Sequence, residues 1–275
     1  MSENNSNRQQ FLLGLFGGFS VIAVVGLIVM GIIFVTAEKG NNGFVAGQTE
    51  SGTNNEAAPS GTVTPPPANI IKAAKPKVEL FVMSHCPYGT QIEKGIVPAV
   101  RQLGDKIDFE LKFVYYAMHG EVEVKEQLNQ YCIQKEQNSK LLDYLDCFLA
   151  SGNGQNCLSQ VKIDQKKLAS CTQATDDQYQ VSENLANQSS WLSGRYPLFG
   201  VDQADNEKYG IGGSPTLIIN GGEVSTARDA ASLLAAICAS FENQPKECQG
   251  NLSAQTPAPG FGSGTTSGGA AATCN

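Results

Sequence analysis

Cys86 is the residue of this 275-residue chain whose type and position are best suited to covalent chemistry. It follows an apolar run that ends at Met83, and Pro87 comes directly after it. Val, Leu and Phe favour a strand over 78–82, and Pro87 with the periodic apolar residues beyond it predicts a helix. Cys86 then lies at the helix N-terminus, where unpaired N–H groups and the helix dipole lower a cysteine pKa. The pattern predicts a nucleophilic thiol, and a buried structural cysteine is the alternative.

The residues beside Cys86 shape the chemistry expected of it. His85 precedes it and, when protonated, would stabilise the thiolate further; the alternative is a solvent-facing loop residue. Attack of the Cys86 thiolate on a disulfide gives a mixed disulfide, which a second thiol must resolve. That thiol would come from the substrate, from a low-molecular-weight thiol such as glutathione, or from a membrane redox partner.

Three elements must position this thiol. Apolar residues repeat at helical spacing after Pro87, Gly104 is a suitable end for that helix, and Pro98 within it predicts a kink. Period-two alternation over 107–113 predicts a second strand. Strand, helix and strand form a βαβ unit of a parallel sheet, which places its reactive end at the C-termini of the strands.

A second pattern lies more than a hundred residues further along. Ser214, Pro215 and Thr216 open an apolar run that ends at the hairpin turn signal Asn220-Gly221. A last amphipathic helix follows. Thr226, with Asp229 three residues on, is its expected start.

Cys86 at a strand-to-helix junction and the later Ser214-Pro215 loop together resemble the thioredoxin-like superfamily, an α/β fold. The resemblance implies a cis Pro215 beside Cys86, and it implies that Ser214, Pro215 and Thr216 bind an extended substrate segment. The superfamily usually has Cys-x-x-Cys, whereas this chain has Gly89 at the fourth position. Pro87-Tyr88 resembles the glutaredoxin active site, which favours monothiol exchange.

The region of about 121–194 predicts helices inserted between the two halves of this motif, as in the DsbA-like branch of the superfamily. Within it, His119-Gly120-Glu121 followed by Cys132 partly resembles the gamma-interferon-inducible lysosomal thiol reductase family. That likeness covers roughly 77–249, and it implies a thiol–disulfide enzyme of an exposed compartment. Ala117, Val124 and Gly89 stand where that family would have further cysteines.

Six of the eight cysteines remain once Cys86 and Cys274 are set aside, and six cysteines allow about fifteen connectivities. Our preferred pairs close local loops or join neighbouring helices of the insertion. They are Cys132 with Cys171, Cys147 with Cys157, and Cys238 with Cys248. We expect no metal and no cofactor, because there is no Cys-x-x-Cys pair and there are only two histidines. Copper bound by Met83, His85 and Cys86 is the weaker alternative.

Composition places the chain outside the nucleic-acid-binding classes, because its net charge is −7. No charged residue occurs over 11–36, a length that as a helix would reach ~39 Å and can span a bilayer with tilt. A cleaved signal peptide is the alternative. We expect a cytoplasmic segment 1–10, an anchor 11–36 and a disordered linker 37–76. A thioredoxin-like domain 77–252 and a disordered tail 253–275 follow, and the tail carries Cys274 as a free thiol or an intermolecular link.

These observations predict a single-pass protein of the cell membrane whose globular domain is extracytoplasmic, since disulfides persist on the oxidising side of a membrane. Its predicted function is thiol–disulfide exchange through a single active-site cysteine, either as monothiol exchange or as isomerase-like reduction of protein disulfides. Its partners would be protein thiols or disulfides. The alternative is a redox-inactive thioredoxin-like module that binds peptides or acts as a chaperone.

Overall fold

The computed structural model describes residues 61–266 and residue 274. All of them belong to one unit, Glu56–Asn275. The predicted cytoplasmic segment 1–10, the anchor 11–36 and the first part of the linker lie outside the described residues. Within the described ranges, no helix combines the length and the apolar character that crossing a bilayer requires.

A four-stranded sheet forms the centre of the domain, in the order β2-β1-β3-β4. Strand β1 pairs with β2 in parallel and with β3 antiparallel, and β3 pairs antiparallel with β4. In the central β1, Leu80 lies opposite both Leu111 and Leu217, and all three are buried. The strands are β1 Lys77–Val82, β2 Asp108–Phe113, β3 Thr216–Ile219 and β4 Gly222–Glu223.

Two helices, α1 (Pro87–Leu103) and α8 (Ala230–Ala239), pack against each other beside this sheet. Helix α1 ends as the sequence predicts, with Gly104 as its C-cap, and Pro98 lies inside it. The predicted start of the last helix at Thr226 is wrong. Asp229 is the N-cap, because it lies directly before the first helical residue and its carboxylate accepts a hydrogen bond from the Ser232 backbone N at 2.8 Å.

The insertion between β2 and β3 is helical, and it extends further than the predicted 121–194. Helix α7 was not predicted, because its seven residues are mostly polar and carry no apolar repeat. It is fixed to the end of β2, where the Asn206 amide donates to the Phe113 carbonyl at 2.9 Å. The inserted helices are α2 Glu121–Gln137, α3 Leu141–Ser151, α4 Gly154–Gln160, α5 Gln165–Tyr179, α6 Val181–Ala186 and α7 Gln203–Tyr209.

Three disulfides cross-link the helices. Cys132–Cys171 joins α2 to α5, Cys147–Cys157 joins α3 to α4, and Cys238–Cys248 joins α8 to the short turn that follows it. These are the pairs that the sequence analysis preferred. Each of the local bridges spans ten positions of the sequence, and the α2–α5 bridge spans 39.

Parts of the two segments expected to be disordered are instead ordered against the domain. In the linker, the Thr64 backbone N donates to the Ser232 hydroxyl at 2.7 Å, and Ala73 bridges to Phe241. In the tail, β5 (Thr256–Pro257) and β6 (Thr265–Thr266) pair as an antiparallel hairpin, called here the tail hairpin, residues 256–266. Composition alone predicted disorder in these parts. Their order comes from contacts with distant parts of the chain, which composition does not reveal.

Candidate active site

Cys86 is the N-cap of α1, as its position before Pro87 predicts. Its Sγ accepts a hydrogen bond from the Gly89 backbone N at 3.4 Å, one of the first-turn N–H groups that have no partner within the helix. The sulfur therefore lies where the helix stabilises negative charge. With the tail in place, the Cys86 side chain is fully buried.

The loop before β3 meets Cys86 because β1 and β3 are neighbours in the sheet. The Ser214–Pro215 peptide bond is cis, and Sγ of Cys86 lies 3.5 Å from the carbonyl oxygen of Ser214. The Ser214 hydroxyl accepts a hydrogen bond from the Met83 backbone N at 2.8 Å. The loop is thus fixed to the end of the strand that leads to Cys86.

Gly89, at the position where a second cysteine would stand, faces this same loop. A Cβ at this residue would lie 2.8 Å from the Ser214 hydroxyl oxygen and 3.0 Å from the Met83 carbonyl oxygen. Both distances are shorter than ordinary van der Waals contact. A side chain at position 89 would require the Ser214 hydroxyl to move and the Met83 carbonyl to shift by a few tenths of an ångström.

One interpretation of the sequence was that a protonated His85 stabilises the Cys86 thiolate. The surroundings of His85 do not favour that protonated form. Its ring is half-buried, 5.6 Å from the ring of Phe148 and 5.5 Å from that of Phe261. This burial lowers the pKa of His85 more than the nearby Glu123 carboxylate raises it. In this disulfide-bonded state burial favours the neutral imidazole, and the N-terminus of α1 is the stabilising element that contacts the Cys86 sulfur.

Glu123 orders the loop that carries His85, and sequence reasoning missed it. This buried carboxylate accepts hydrogen bonds from the backbone N of His85 at 3.0 Å and of Met118 at 2.7 Å. It also accepts one from Nδ1 of His119 at 2.7 Å, a hydrogen bond that raises the pKa of His119. The i,i+4 spacing of His119 and Glu123 was the signal in the sequence.

The other predicted site residues surround the same cleft with different roles. Pro87 is exposed, and the Tyr88 ring lies 5.5 Å from the guanidinium of Arg228. The Thr216 hydroxyl donates to the carbonyl of Gly213 at 3.1 Å, so it shapes the loop. The six candidate structural cysteines form the three disulfides described above. No group of three His, Cys, Asp or Glu side chains in the described part of the chain is arranged to hold a metal.

Cys274 is the residue that the sequence analysis misplaced. It forms a disulfide with Cys86, with a Cα–Cα distance of 6.2 Å, and it is neither a free thiol nor an intermolecular link. Its backbone pairs with Ser214 in an antiparallel bridge. The Ser214 N donates to the Cys274 carbonyl at 2.9 Å, and the Cys274 N donates to the Ser214 carbonyl at 2.7 Å. The tail thus takes the place that the resemblance assigned to substrate.

The tail hairpin lies along α1 and is held there by Lys94. The Lys94 ammonium donates to the carbonyl oxygens of Ala258, of Gly260 at 2.9 Å and of Gly262 at 3.3 Å. At the helix N-terminus the Gly260 N donates to the Pro87 carbonyl at 3.0 Å. Phe261 covers His85 and Phe148. These contacts bring the tail to the rim of the cleft.

Two buried carboxyl groups, Glu93 of α1 and Glu126 of α2, face the interior. Burial raises the pKa of Glu126 to about 7, although Gln130 and Tyr144 donate hydrogen bonds to it. Burial raises the pKa of Glu93 well above its ordinary value, and the Glu126 carboxylate adds to that shift. Among the described residues, neither oxygen of Glu93 has a hydrogen-bond partner. Both groups therefore hold protons in a range where ordinary carboxyls are ionised.

No family model matches this chain, and no curated protein matches it. Solved structures do. Oxidised DsbA of Mycobacterium tuberculosis matches with 14% identity and a TM-score of 0.45, over 68% of this chain and 96% of that one. Oxidised BdbD of Bacillus subtilis matches with 18% identity and a TM-score of 0.41, over 69% and 100%. The oxidoreductase NmDsbA1 of N. meningitidis matches with 15% identity and a TM-score of 0.39, over 66% and 90%.

The architecture can be assigned from the geometry of the chain itself. A parallel β1–α1–β2 unit carries Cys86 at its strand-to-helix junction, and an antiparallel β3–β4 pair with α8 completes the sheet. A cis-proline loop faces the cysteine. With six helices inserted between these halves in the described region, the domain has a thioredoxin-like α/β fold with a helical insertion.

Proposed function

We propose that this protein is a thiol–disulfide oxidoreductase in which Cys86 is the nucleophile. The proposal rests on one observation, which is that Cys86 is disulfide-bonded in this structure. Its sulfur is bonded to a cysteine whose backbone is paired as a strand with Ser214. This is the geometry that a mixed disulfide with an extended protein substrate requires.

The described contacts support each step of such an exchange. The Gly89 N–H and the positive end of α1 stabilise the Cys86 thiolate, which attacks one sulfur of a substrate disulfide. The Ser214 N–H and C=O groups pair with the substrate backbone, which fixes its cysteine beside Cys86. The cis Pro215 provides no N–H that would compete for this pairing. Substrate side chains are little constrained by backbone pairing, so protein thiols and disulfides are the expected substrate class.

Removal of the nucleophile tests this proposal. The full chain, purified in mild detergent and fully reduced, is mixed with a peptide disulfide, and exchange is followed for the wild type and for Cys86→Ser. We expect Cys86→Ser to lose exchange by at least ~100-fold, because no other thiol lies at a helix N-terminus opposite the cis-proline loop. Equal exchange by both proteins would leave the redox-inactive peptide-binding module as the better account.

A matched control uses the double variant Cys147→Ser, Cys157→Ser. Like Cys86→Ser, that variant loses one disulfide, but the lost bridge is the one between α3 and α4. It is expected to retain exchange at the wild-type rate. A loss as large as that of Cys86→Ser would show that the assay reports general damage to the protein.

We further propose that the domain is held at the outer face of the cell membrane by residues 11–36. The support is the uncharged run of sequence and the oxidised cysteines of the domain. Extraction of membranes with alkaline carbonate should leave the full chain in the pellet. External protease should remove the domain from intact cells. Release by carbonate would contradict the anchor, and protection from protease would contradict the orientation.

A further inference from the structure

We propose that Cys274 is the resolving thiol of the active site, so that Cys86 and Cys274 form a two-cysteine redox couple within one chain. This inference rests on the proposed function and adds its second catalytic group. It replaces the single-cysteine mechanism, in which the resolving thiol comes from another molecule.

The first support is the position of Cys274 relative to the loop. Two backbone hydrogen bonds, of 2.9 and 2.7 Å, pair Cys274 with Ser214. This pairing fixes the direction of the tail as well as the place of its sulfur, and it leaves the two cysteines bonded. A tail cysteine that met Cys86 by chance would need no such strand pairing.

The second support is the crowding at position 89. A resolving cysteine there would push its Cβ to 2.8 Å from the Ser214 hydroxyl and 3.0 Å from the Met83 carbonyl. The chain has closed the usual position with tight packing around a glycine. Cys274 instead reaches Cys86 from the strand paired with Ser214.

The third support is the way in which the tail is attached. The tail hairpin is held on α1 by the three carbonyls around Lys94, and on α3 by the hydrogen bond from the Gly262 N to the Leu149 carbonyl at 2.9 Å. Only seven residues lie between Thr266, the last residue of the hairpin, and Cys274. Such a short tether gives an effective thiol concentration on the order of millimolar or higher, well above that of a protein substrate.

The step balances in atoms and electrons. In the reduced chain the Cys86 thiolate attacks a substrate disulfide, one substrate sulfur leaves and takes a proton, and a Cys86–substrate disulfide forms. The Cys274 thiolate then attacks Sγ of Cys86, that bond breaks, and the second substrate sulfur leaves and takes a proton. The substrate has gained two electrons, and the two cysteines have lost two in forming their bond. Oxidation of a substrate dithiol uses the same bonds in reverse.

The disulfide-bonded and the reduced chain differ in how easily a substrate can reach Cys86. In the bonded state the Cys86 side chain has no exposed surface, and Cys274 is half-buried above it. A substrate strand must replace Cys274 at Ser214 before it can approach Cys86. Once the disulfide is reduced, only the two backbone hydrogen bonds to Ser214 would remain to hold Cys274 there, and a substrate backbone could replace both of them.

The test is a single turnover with a probe that separates the two steps. The probe is a linear peptide with one cysteine, joined by a disulfide to a chromophoric aromatic thiol. Attack by Cys86 releases the chromophore, and later release of the peptide is followed by acid quenching and mass measurement. The fully reduced full chain is compared with Cys274→Ser, with Cys86→Ser and with the double variant Cys147→Ser, Cys157→Ser.

We expect the wild type and Cys274→Ser to release the chromophore alike. The wild type should then release the peptide and form Cys86–Cys274. Cys274→Ser should keep the Cys86–peptide adduct at least ~10-fold longer, because no tethered thiol is present. The double variant should behave as the wild type. An adduct that persists equally in the wild type and Cys274→Ser would overturn the resolving role and leave the tail as a plug. Chromophore release that does not depend on Cys86 would instead overturn the proposed function.

Discussion

At the scale of single residues, the sulfur of Cys86 is acted on by two parts of the chain that are distant in sequence. The N-terminus of α1 stabilises its anion, and the loop at Ser214 orients whatever is bonded to it. His85, the neighbour that sequence reasoning offered as a third contributor, is made neutral by its burial between Phe148 and Phe261. The reactivity of Cys86 should therefore depend little on the protonation of that histidine.

Gly89→Ala tests whether glycine is required at position 89 because of tight packing or because of its backbone conformational freedom. In an open helix this substitution stabilises a protein by ~0.5–1 kcal/mol. Here the new methyl group would lie 2.8 Å from the Ser214 hydroxyl, so we expect a loss of about 1–3 kcal/mol in the free energy of unfolding, measured with urea.

The control for Gly89→Ala is the same substitution combined with Ser214→Ala. Removal of the hydroxyl relieves one of the two close contacts, so the two changes should not be additive, and Gly89→Ala should cost less in this background. A gain in stability from Gly89→Ala alone would show that the space around position 89 is open.

At the scale of elements, the tail hairpin is the part that gives the second cysteine its position. Lys94→Ala removes the ammonium that three of its carbonyls share. We expect the Cys86–peptide adduct of the single-turnover assay to persist several-fold longer, because a looser hairpin lowers the effective concentration of Cys274. Chromophore release should be unchanged.

The matched control for that variant is Lys166→Ala, which removes an exposed lysine on α5. It should leave both the release and the lifetime of the adduct at wild-type values. An adduct lifetime in Lys94→Ala equal to that of the wild type would show that the hairpin does not position Cys274.

The structural disulfides offer a comparison between elements. Replacing both cysteines of the Cys132–Cys171 bridge by serine opens a loop of 39 positions, and the same change at Cys238–Cys248 opens one of ten. Because loop-closure entropy grows with the logarithm of loop length, the first change should cost about 1 kcal/mol more than the second. Urea denaturation of the two variants measures the difference. Equal losses would contradict the entropic account.

The elements that the sequence predicts well are those whose apolar residues recur with a clear period. Strand β2 and helix α1 are of this kind, and the turn at Asn220-Gly221, where both residues have positive φ, is predicted from its residue types. Helix α7 is too short and too polar to show a period. The tail hairpin is rich in glycine, serine and threonine, and its order depends on Lys94 and Phe148, more than a hundred residues away. No local pattern reports such contacts, so the pairing of Cys274 with Cys86 was missed.

At the scale of the whole molecule, the buried carboxyls make stability depend on pH. The folded chain holds the proton of Glu126 up to a pKa of about 7, and the unfolded chain loses it near 4.5. Between these values the folded state binds more protons, so the free energy of unfolding falls as pH rises, by up to about 1.4 kcal/mol per pH unit for one carboxyl. Glu93, whose pKa is also raised, acts in the same direction.

Glu126→Gln removes this titration and keeps an oxygen that Tyr144 and Gln130 can bond. The free energy of unfolding of the variant, measured by urea denaturation between pH 4.5 and about 7, should fall less steeply with pH than that of the wild type. Equal slopes would show that Glu126 is ionised in the folded chain.

Stepwise reduction of the oxidised full chain, with each new thiol alkylated and located by mass, tests whether Cys86 and Cys274 form the redox couple. Cys86 and Cys274 should become alkylated together and before the other six cysteines, because a redox couple must open while the structural bridges persist. Alkylation of Cys86 without Cys274, or only after the structural bridges have opened, would contradict the account.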